Sequence, residues 1–566
     1  MTKQGRSPIT RRRFLIGAAA TAGAAVLGAC TSQPTPAPTA APKATSAPVS
    51  APSTAPVQGT AVPATAVRTS NITRGGVLRE IDRLAISSLD PHLSTTRDTA
   101  WMPLLFDTLL SYRVVDLKKE EFAIGPGLAE SYEVVDPTTI EFKLVKGVKF
   151  HDGSDFNAEV AKWNLERAAT HEKSAVAETV KDVKEVVAVD SHTLRIILNA
   201  PAPMFPLQMT PANPVTVFMV SKAAVEKQGD AGFAEKPVGS GPMQFKEWVR
   251  DDRLVMEKFP DHWEMGEDGK PLPYVDGFVS RLITDQSVGL VEMRTGHMDI
   301  FLNLLLEDVE TVKAEPQLKL FNVPGRWMGY PSLYFNPHPP EGADYPFSKH
   351  LELREAAQYA TDRQALADTL GFGNALPHYY WDWYPGSPGY DESLPRREFD
   401  LEKAKELVAK AGFANGVDVE VKVINRTSDT APLEVLQAMW AKAGIRLHIN
   451  KMDRLVWVDD GRAGKFEALS HSNTGQPDPI LRQTTRTGST YNWANYSDPE
   501  MDKLWEQVAA EYDAKKREEI YRQMQTKLYN EAYHFIGYRM PTIAALNKAV
   551  QGMTTNYNYR YIWLQS

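Results

Sequence analysis

From about residue 73 onward, apolar positions recur with two periods. Glu141-Phe142-Lys143-Leu144 and Thr193-Leu194-Arg195-Ile196-Ile197-Leu198 alternate or cluster apolar residues, and Val183 to Val189 gathers β-branched ones between turn signals. All three predict strands. Asn157 stands where it would cap a helix through Ala158 to Ala168, and Asp400 one through Leu401 to Ala411 that stops at Gly412. A helical pattern around Leu433 to Ala443 meets Gly444 and then a strand, Ile445 to Ile449. Lys515 to Tyr533 is the longest periodic helix, and no internal repeat is visible. Strands and helices mixed throughout predict an α/β architecture.

The pattern fails before residue 73. From Thr31 to about Asn71 nearly every residue is Pro, Ala, Thr, Ser or Val, with no aromatic side chain. Such a stretch has nothing to bury and predicts an extended tether over 31–72. It would reach roughly 35 Å as a coil and about 130 Å as a polyproline rod. Ahead of it, Arg11-Arg12-Arg13-Phe14-Leu15 precedes a short apolar run from Ile16 to Ala29 that closes Leu27-Gly28-Ala29-Cys30. A basic start, a short apolar middle and small residues before a cut site describe a secretory signal over 1–30. The Arg11-Arg12 pair resembles the twin-arginine type, and the end resembles a lipobox, which implies cleavage before Cys30 and a diacylglycerol on its sulfur.

Composition narrows the rest. The 566 residues suffice for two or three domains, and 24% charged residues is an ordinary globular share. No uninterrupted apolar stretch of about 20 residues occurs, which excludes a polytopic membrane protein. A net charge of -8 argues against nucleic acid as a partner. Loss of the signal, with Lys3, Arg6, Arg11, Arg12 and Arg13 and no acid, takes that charge to -13. An acidic body gains nothing from anionic headgroups, so two acyl chains on Cys30 would have to hold it at the membrane. The single cysteine excludes a disulfide framework. No His-x3-His or similar pair occurs among the 12 histidines, so neither metal nor cofactor is expected, and His378 and His471 are read as polar loop residues.

Two local motifs admit a chemical reading and a plainer one. Gly239-Ser240-Gly241-Pro242 lacks the lysine and spacing of a phosphate loop and predicts a tight turn against a close neighbour. His151-Asp152-Gly153 predicts a turn before the Asn157-capped helix.

A long series of segments carries a family resemblance. Gly127 to Tyr132, Asp136 to Leu144 and Lys146-Gly147-Val148-Lys149-Phe150-His151-Asp152-Gly153 together resemble the signature of solute-binding protein family 5. Further matches run through Val238 to Met243, Phe259 to Trp263, Gly296 to Asp299, Phe335-Asn336-Pro337, Arg354 to Ala357, Thr361-Asp362-Arg363 and Asn495 to Glu500. Val145 stands where an arginine is usual.

The resemblance implies a two-lobed periplasmic-binding-protein-like fold of the large class II kind, with a hinge and a ligand cleft between the lobes. Lobe I would take 73–325 plus 538–566, with an inserted subdomain at about 111–235, and lobe II 330–535. The crossovers would lie near Pro324-Gly325-Arg326 and Phe535-Ile536-Gly537. It implies a monomeric, non-enzymatic receptor outside the cell membrane that hands a peptide-like or other oligomeric solute to ABC transporter permease subunits.

Peptide receptors of the family carry an aspartate for the peptide amine shortly before an acidic-Pro step. Here the step is Asp478-Pro479 and the aspartate position falls on Gly475, so ordinary free-amino peptides lose their expected partner. Aromatic supply favours flat, uncharged ligands such as sugars: Trp381 and Trp383 within Tyr379 to Tyr384, and Trp101, Trp327 and Trp493 in regions the resemblance puts near the cleft. With Asn473, Thr474 and Asp478 these are the expected ligand-binding residues. An oligosaccharide receptor is therefore the alternative within the fold. Outside it stand a secreted glycoside hydrolase using two of Asp382, Asp391 and Asp478, and a passive surface protein.

Overall fold

The computed structural model describes residues 72–566 except 96–100, 117–120, 214, 381–382, 475–477, 482, 490, 555–557 and 566. The signal with Arg11 and Arg12, Cys30 and the tether up to residue 71 lie outside the described residues, as do Trp381, Asp382 and Gly475.

An eleven-stranded sheet organises the chain. In chain order its strands are β1 Val77–Asp82, β2 Met243–Val249, β3 Arg253–Lys258, β4 Gly277–Leu282, β5 Ile300–Phe301, β6 Leu318–Phe335, β7 Leu376–Pro377, β8 Val417–Ile424, β9 Ile445–Met452, β10 Ala468–Thr474 and β11 His534–Asn547. They lie in the order β9-β8-β10-β6-β11-β5-β1-β4-β3-β2, with β7 on β11. The antiparallel pair β6 and β11 runs through the middle. One stretch of it, Leu318↔Asn547 to Asn322↔Ile543, neighbours β5; the other, Trp327↔Pro541 to Tyr334↔His534, neighbours β10. Between them the ladder shifts register, with four residues of β6 facing one of β11.

Side-chain alternation makes this sheet two-faced, so each half buries apolar residues on both sides. In the second half Leu333, Phe335, Val419, Val421 and Phe535 pack with Leu436 and Trp440 of the helix Thr427–Ala441. Tyr334, Leu469 and Ile536 point the other way, toward Trp505 and Tyr521. In the first half Leu78, Phe278 and Ala544 share one core and Ile81, Phe301 and Ala545 another. A separate four-stranded sheet, in the order 129–136, 139–144, 193–198, 183–190, covers its own core of Phe142, Leu194 and Ile196 against Leu165.

Local chemistry accounts for the ends of elements. The Asn157 side chain accepts the Val160 N–H at 3.0 Å and opens Ala158–Thr170. Asp400 does the same for Lys403 at 2.9 Å and opens Leu401–Lys410. The long C-terminal helix spans Ala514–Glu531. The helix expected around Leu433 starts earlier, at Thr427, with Pro432 inside it. Its first turn is held by the Arg426 carbonyl, which accepts from Asp429 and Thr430, and by a 2.6 Å Arg426–Asp429 ion pair.

The Gly239-Ser240-Gly241 turn passes directly over a backbone segment. A Cβ on Gly239 would stand 1.9 Å from the Leu105 carbonyl oxygen, and one on Gly241 2.4 Å from that of Leu104. His151 fastens the turn: its backbone N–H donates to the Gly239 carbonyl at 2.9 Å, and its Nε2 lies 2.9 Å from the Gly241 oxygen. Burial lowers the imidazole to about 4, so at neutral pH it is an uncharged strut.

Candidate functional site

Strand direction locates the site. β8 and β9 run parallel, β10 runs parallel to β8, and Thr474 at the end of β10 pairs with Met328 in the middle of β6. On the other side β1, β4 and β5 run parallel, and Phe301 at the end of β5 pairs with Ala545 of β11. The carboxyl ends of the parallel strands in both halves therefore point at the middle of the β6–β11 pair. In open α/β sheets ligands bind outside such carboxyl ends.

The second half brings an aromatic slab to this place. His471 in β10, Trp457 in the helix Arg454–Arg462 and Trp493 in a loop lie face to face. Trp457 and Trp493 ring centres are 5.1 Å apart, and His471 is stacked at 5.8 Å from Trp493 with 16° between planes. Trp457 is buried and its indole N–H has no acceptor among the described residues.

Two segments distant in sequence line a half-open cavity of about 360 Å³. Residues between 178 and 215, from the chain of the four-stranded sheet, form one wall; residues between 480 and 491 form the other. Its lining is polar: Asp182, Gln208 and Asn213 face Gln483, Arg486 and Tyr491. The same parts touch twice more. Tyr512 donates its hydroxyl to the Pro137 carbonyl at 2.9 Å, and Met204 packs against the core of Tyr334, Trp457 and Trp505.

A family model, bacterial extracellular solute-binding proteins, family 5 Middle, matches residues 123–495. The chain belongs to this family. Glutathione-binding protein GsiB of Escherichia coli (strain K12) is 29% identical over 432 residues, which is 73% of this chain and 80% of that one. Di/tripeptide-binding protein 1 of Pseudomonas aeruginosa (strain UCBPP-PA14) is 28% identical over 455 residues, with the same shares of 73% and 80%. Among solved structures, the periplasmic binding protein DppA from Helicobacter pylori in complex with the peptide STSA superposes with a TM-score of 0.70 at 23% identity, covering 87% of this chain and 99% of that one. The family-5 fold is two-lobed.

The expected binding residues of this family-5 chain fall into separate surroundings. Register places Trp327, Asn473 and Thr474 together, since Met328 pairs with Thr474 and Gly329 with Asn473. Trp493 belongs to the slab. Trp101 is fully enclosed in the core around Leu104, Phe106 and Phe278, and Trp383 is fully enclosed in the core with Tyr334 and Tyr521. Asp478 is buried, accepts the Tyr521 hydroxyl, and accepts the Ile480 N–H at 3.0 Å. Burial raises its carboxyl, with the Tyr521 donor pulling the other way.

The remaining candidates are engaged locally. Asp391 accepts from the Ser393 N–H at 2.9 Å, and those hydrogen bonds lower its carboxyl. His378 is buried and lowered to about 3 by that burial. No group of three or more His, Cys, Asp or Glu able to hold a metal occurs among the described residues. Trp457, Asp182 and Arg486 were not expected from the sequence. Trp457 lies in an ordinary amphipathic helix, and the two charges stand 304 positions apart with no motif to connect them.

Proposed function

We propose that this chain is the lipid-anchored receptor of an ABC importer. It captures a peptide-like solute between its lobes and delivers it unaltered to the permease. The observation that supports this most is strand direction: the carboxyl ends of the parallel strands in both halves of the sheet point at the middle of the β6–β11 pair. The relatives named for glutathione and for di- and tripeptides support a peptide-like cargo. A second cargo is an oligosaccharide, for which the partly exposed Trp493 at the edge of the slab offers a flat ring.

In this reading the register shift between β6 and β11 is the hinge; lobe I comprises 73–322 and 543–566 with the subdomain at 111–235, and lobe II runs from 327 to 541, beyond the expected boundary at 535–538, because Tyr538 still pairs with Tyr330. Ligand shifts the open–closed balance by its differential affinity for the closed form, and a swing from 1:99 to 99:1 needs about 5.5 kcal/mol. Residues 1–30 are a twin-arginine lipoprotein signal, 31–72 a tether, and Cys30 the lipid anchor of a monomer outside the cell membrane.

A thermal-shift panel on protein starting near Thr73 tests the cargo, using glutathione, di- and tripeptides and oligosaccharides. A true ligand at 100 times its Kd stabilises by about 2.7 kcal/mol and is recovered intact. Hydrolysed ligand would replace the receptor with an enzyme, and no stabilisation by any compound would leave a passive surface protein. For the anchor, Cys30→Ala is expected to move the protein from the membrane pellet to the soluble fraction. A variant that still sediments with membranes refutes lipidation at Cys30.

A further inference from the structure

Tyr512 carries the helix pair Pro499–Ala510 and Ala514–Glu531 across to the four-stranded sheet, where its hydroxyl donates to the Pro137 carbonyl, 375 positions away, at 2.9 Å. Both partners are held stiffly before they meet. On the helix side, the Asp513 N–H donates to the Glu511 carboxylate at 2.8 Å. The Asp513 carboxylate caps the second helix at Lys515 and Lys516, and Arg517 donates to the Glu511 carbonyl at 3.4 Å. On the sheet side, the acceptor lies at a hairpin tip, where strand pairing ends at Asp136↔Thr139. Asp136 accepts the N–H and the hydroxyl of Thr138 at 2.8 and 2.9 Å, and the Pro137 ring fixes its own backbone angle. Burial raises the phenol, against the pull of the Ala202 backbone, so it remains a protonated donor at neutral pH. Two residues beyond Ala202, the partly buried Met204 makes the companion contact to the core of Tyr334, Trp457 and Trp505. Tyr512 is half-buried and Pro137 is exposed, so parting them opens no core.

We infer that Tyr512 is a latch that draws the four-stranded sheet onto the helix pair and favours the closed form before any cargo enters. The inference rests on the two-lobed reading, in which that sheet moves with lobe I and the helices with lobe II. Donor and acceptor are preorganised, so forming the bond orders little besides the two bodies themselves. Neither Tyr512 nor Pro137 lines the cavity between residues 178–215 and 480–491, so the latch acts on the open–closed balance and not on a cargo held there. A hydrogen bond of ordinary net strength moves such a balance about two- to tenfold. Apparent affinity scales with the fraction of the binding-competent form. The latch therefore strengthens every cargo by one common factor and leaves the choice among cargoes unchanged.

The test uses the mature chain with Cys30→Ala, carrying a donor and an acceptor dye on Lys184→Cys in the four-stranded sheet and Lys503→Cys in the first helix, both exposed positions. Single-molecule energy transfer without added ligand reads the closed and open populations. Tyr512→Phe keeps the ring and removes the hydroxyl, and is expected to lower the closed-to-open ratio about two- to tenfold. Tyr512→Ala should lower it at least as far. Urea unfolding of the same variants is the structural control. A ratio that stays the same or rises overturns the latch, and a loss of stability without a change in ratio shows that Tyr512 only supports the fold. Either result leaves the receptor reading in place. A wild type that is wholly open without ligand overturns the latch as well. A wild type with one population that glutathione, trialanine and maltotriose all fail to shift has no opening motion, and the two-lobed reading then falls together with the latch.

Discussion

Two clusters, one in each lobe, bury charge in opposite ways. In lobe I a buried cation meets buried anions. Arg560 sits 2.8 Å from Glu264 and 3.0 Å from Asp107, Arg113 adds a 3.2 Å contact to Glu264, and Tyr561 donates to the same carboxylate. Arg167 likewise lies 2.6 Å from Asp90 and 2.8 Å from Asp230. Burial alone would lower both arginines, yet their carboxylate neighbours outweigh it and raise them. In lobe II the partners of Arg354, Arg363 and Glu467 are mainly backbone dipoles, whereas the buried Arg397 keeps a 2.8 Å ion pair with Glu355. Arg354 donates to the carbonyls of Phe347 at 2.6 Å and Glu531 at 2.8 Å, and Arg363 to those of Ile536 at 3.0 Å and Gln358 at 3.1 Å. Glu467 accepts the N–H groups of Phe347 at 3.1 Å and Glu420 at 3.2 Å. Here desolvation wins: it lowers Arg354, lowers Arg363 to about 10, and raises Glu467 to about 7. Fixed peptide dipoles are weaker partners than full charges, so Arg354, Arg363 and Glu467 are held less firmly than Arg560 and Arg167.

The largest break in this comparison is predicted in lobe I. Among the described residues, Glu264→Ala leaves the buried Arg560 with Asp107 alone and takes the ion-pair partner of the half-buried Arg113; breaking a buried ion pair costs about 3–5 kcal/mol. Urea unfolding should show that loss; a change below about 1 kcal/mol would mean the network is not what fixes the C-terminal segment. The next effect is a pH dependence from lobe II. Glu467 binds its proton more tightly folded, at about 7, than unfolded, at the ordinary 4.5. Its contribution to stability is therefore complete below pH 4.5 and is lost as the pH rises through 7. That loss amounts to about 3 kcal/mol between pH 4.5 and 8. Glu467→Gln should flatten the slope, and a variant whose stability falls with pH as steeply as the wild type would exclude this residue as its source.

Local rules made much of the fold legible. Asn157 and Asp400 cap because a short polar side chain reaches the third N–H beyond it, a fact of spacing alone. The Gly239–Gly241 turn was readable because only glycine permits a backbone so close to Leu105. The early start at Thr427 was not: Pro432 looks like a boundary, and what overrides it is the Arg426–Asp429 pair and burial of Leu433, Leu436 and Trp440. At the site, Trp493 was legible as an aromatic in a polar loop, whereas Trp101 and Trp383 have the same chemistry and are core. That Asp182 and Arg486 line one cavity carried no signal, since they stand 304 positions apart and only the fold brings them together.

The smallest predicted effect tests why lobe II tolerates its arrangement. Arg354 lies with its guanidinium 3.8 Å from the Tyr533 ring centre and donates to carbonyls that belong to turns and helix ends. Arg354→Met keeps an unbranched chain over the ring, where a thioether also packs well. What disappears is a set of charge-assisted hydrogen bonds, and no buried ion is left behind. Removing a charge held only by dipoles relieves its own desolvation, which offsets part of the lost bonding. The expected cost is about 2 kcal/mol, at least 1 kcal/mol less than Glu264→Ala. Equal losses in urea unfolding would show that carbonyls hold a guanidinium as firmly as carboxylates do, and the contrast between the lobes would then lie in geometry instead of charge.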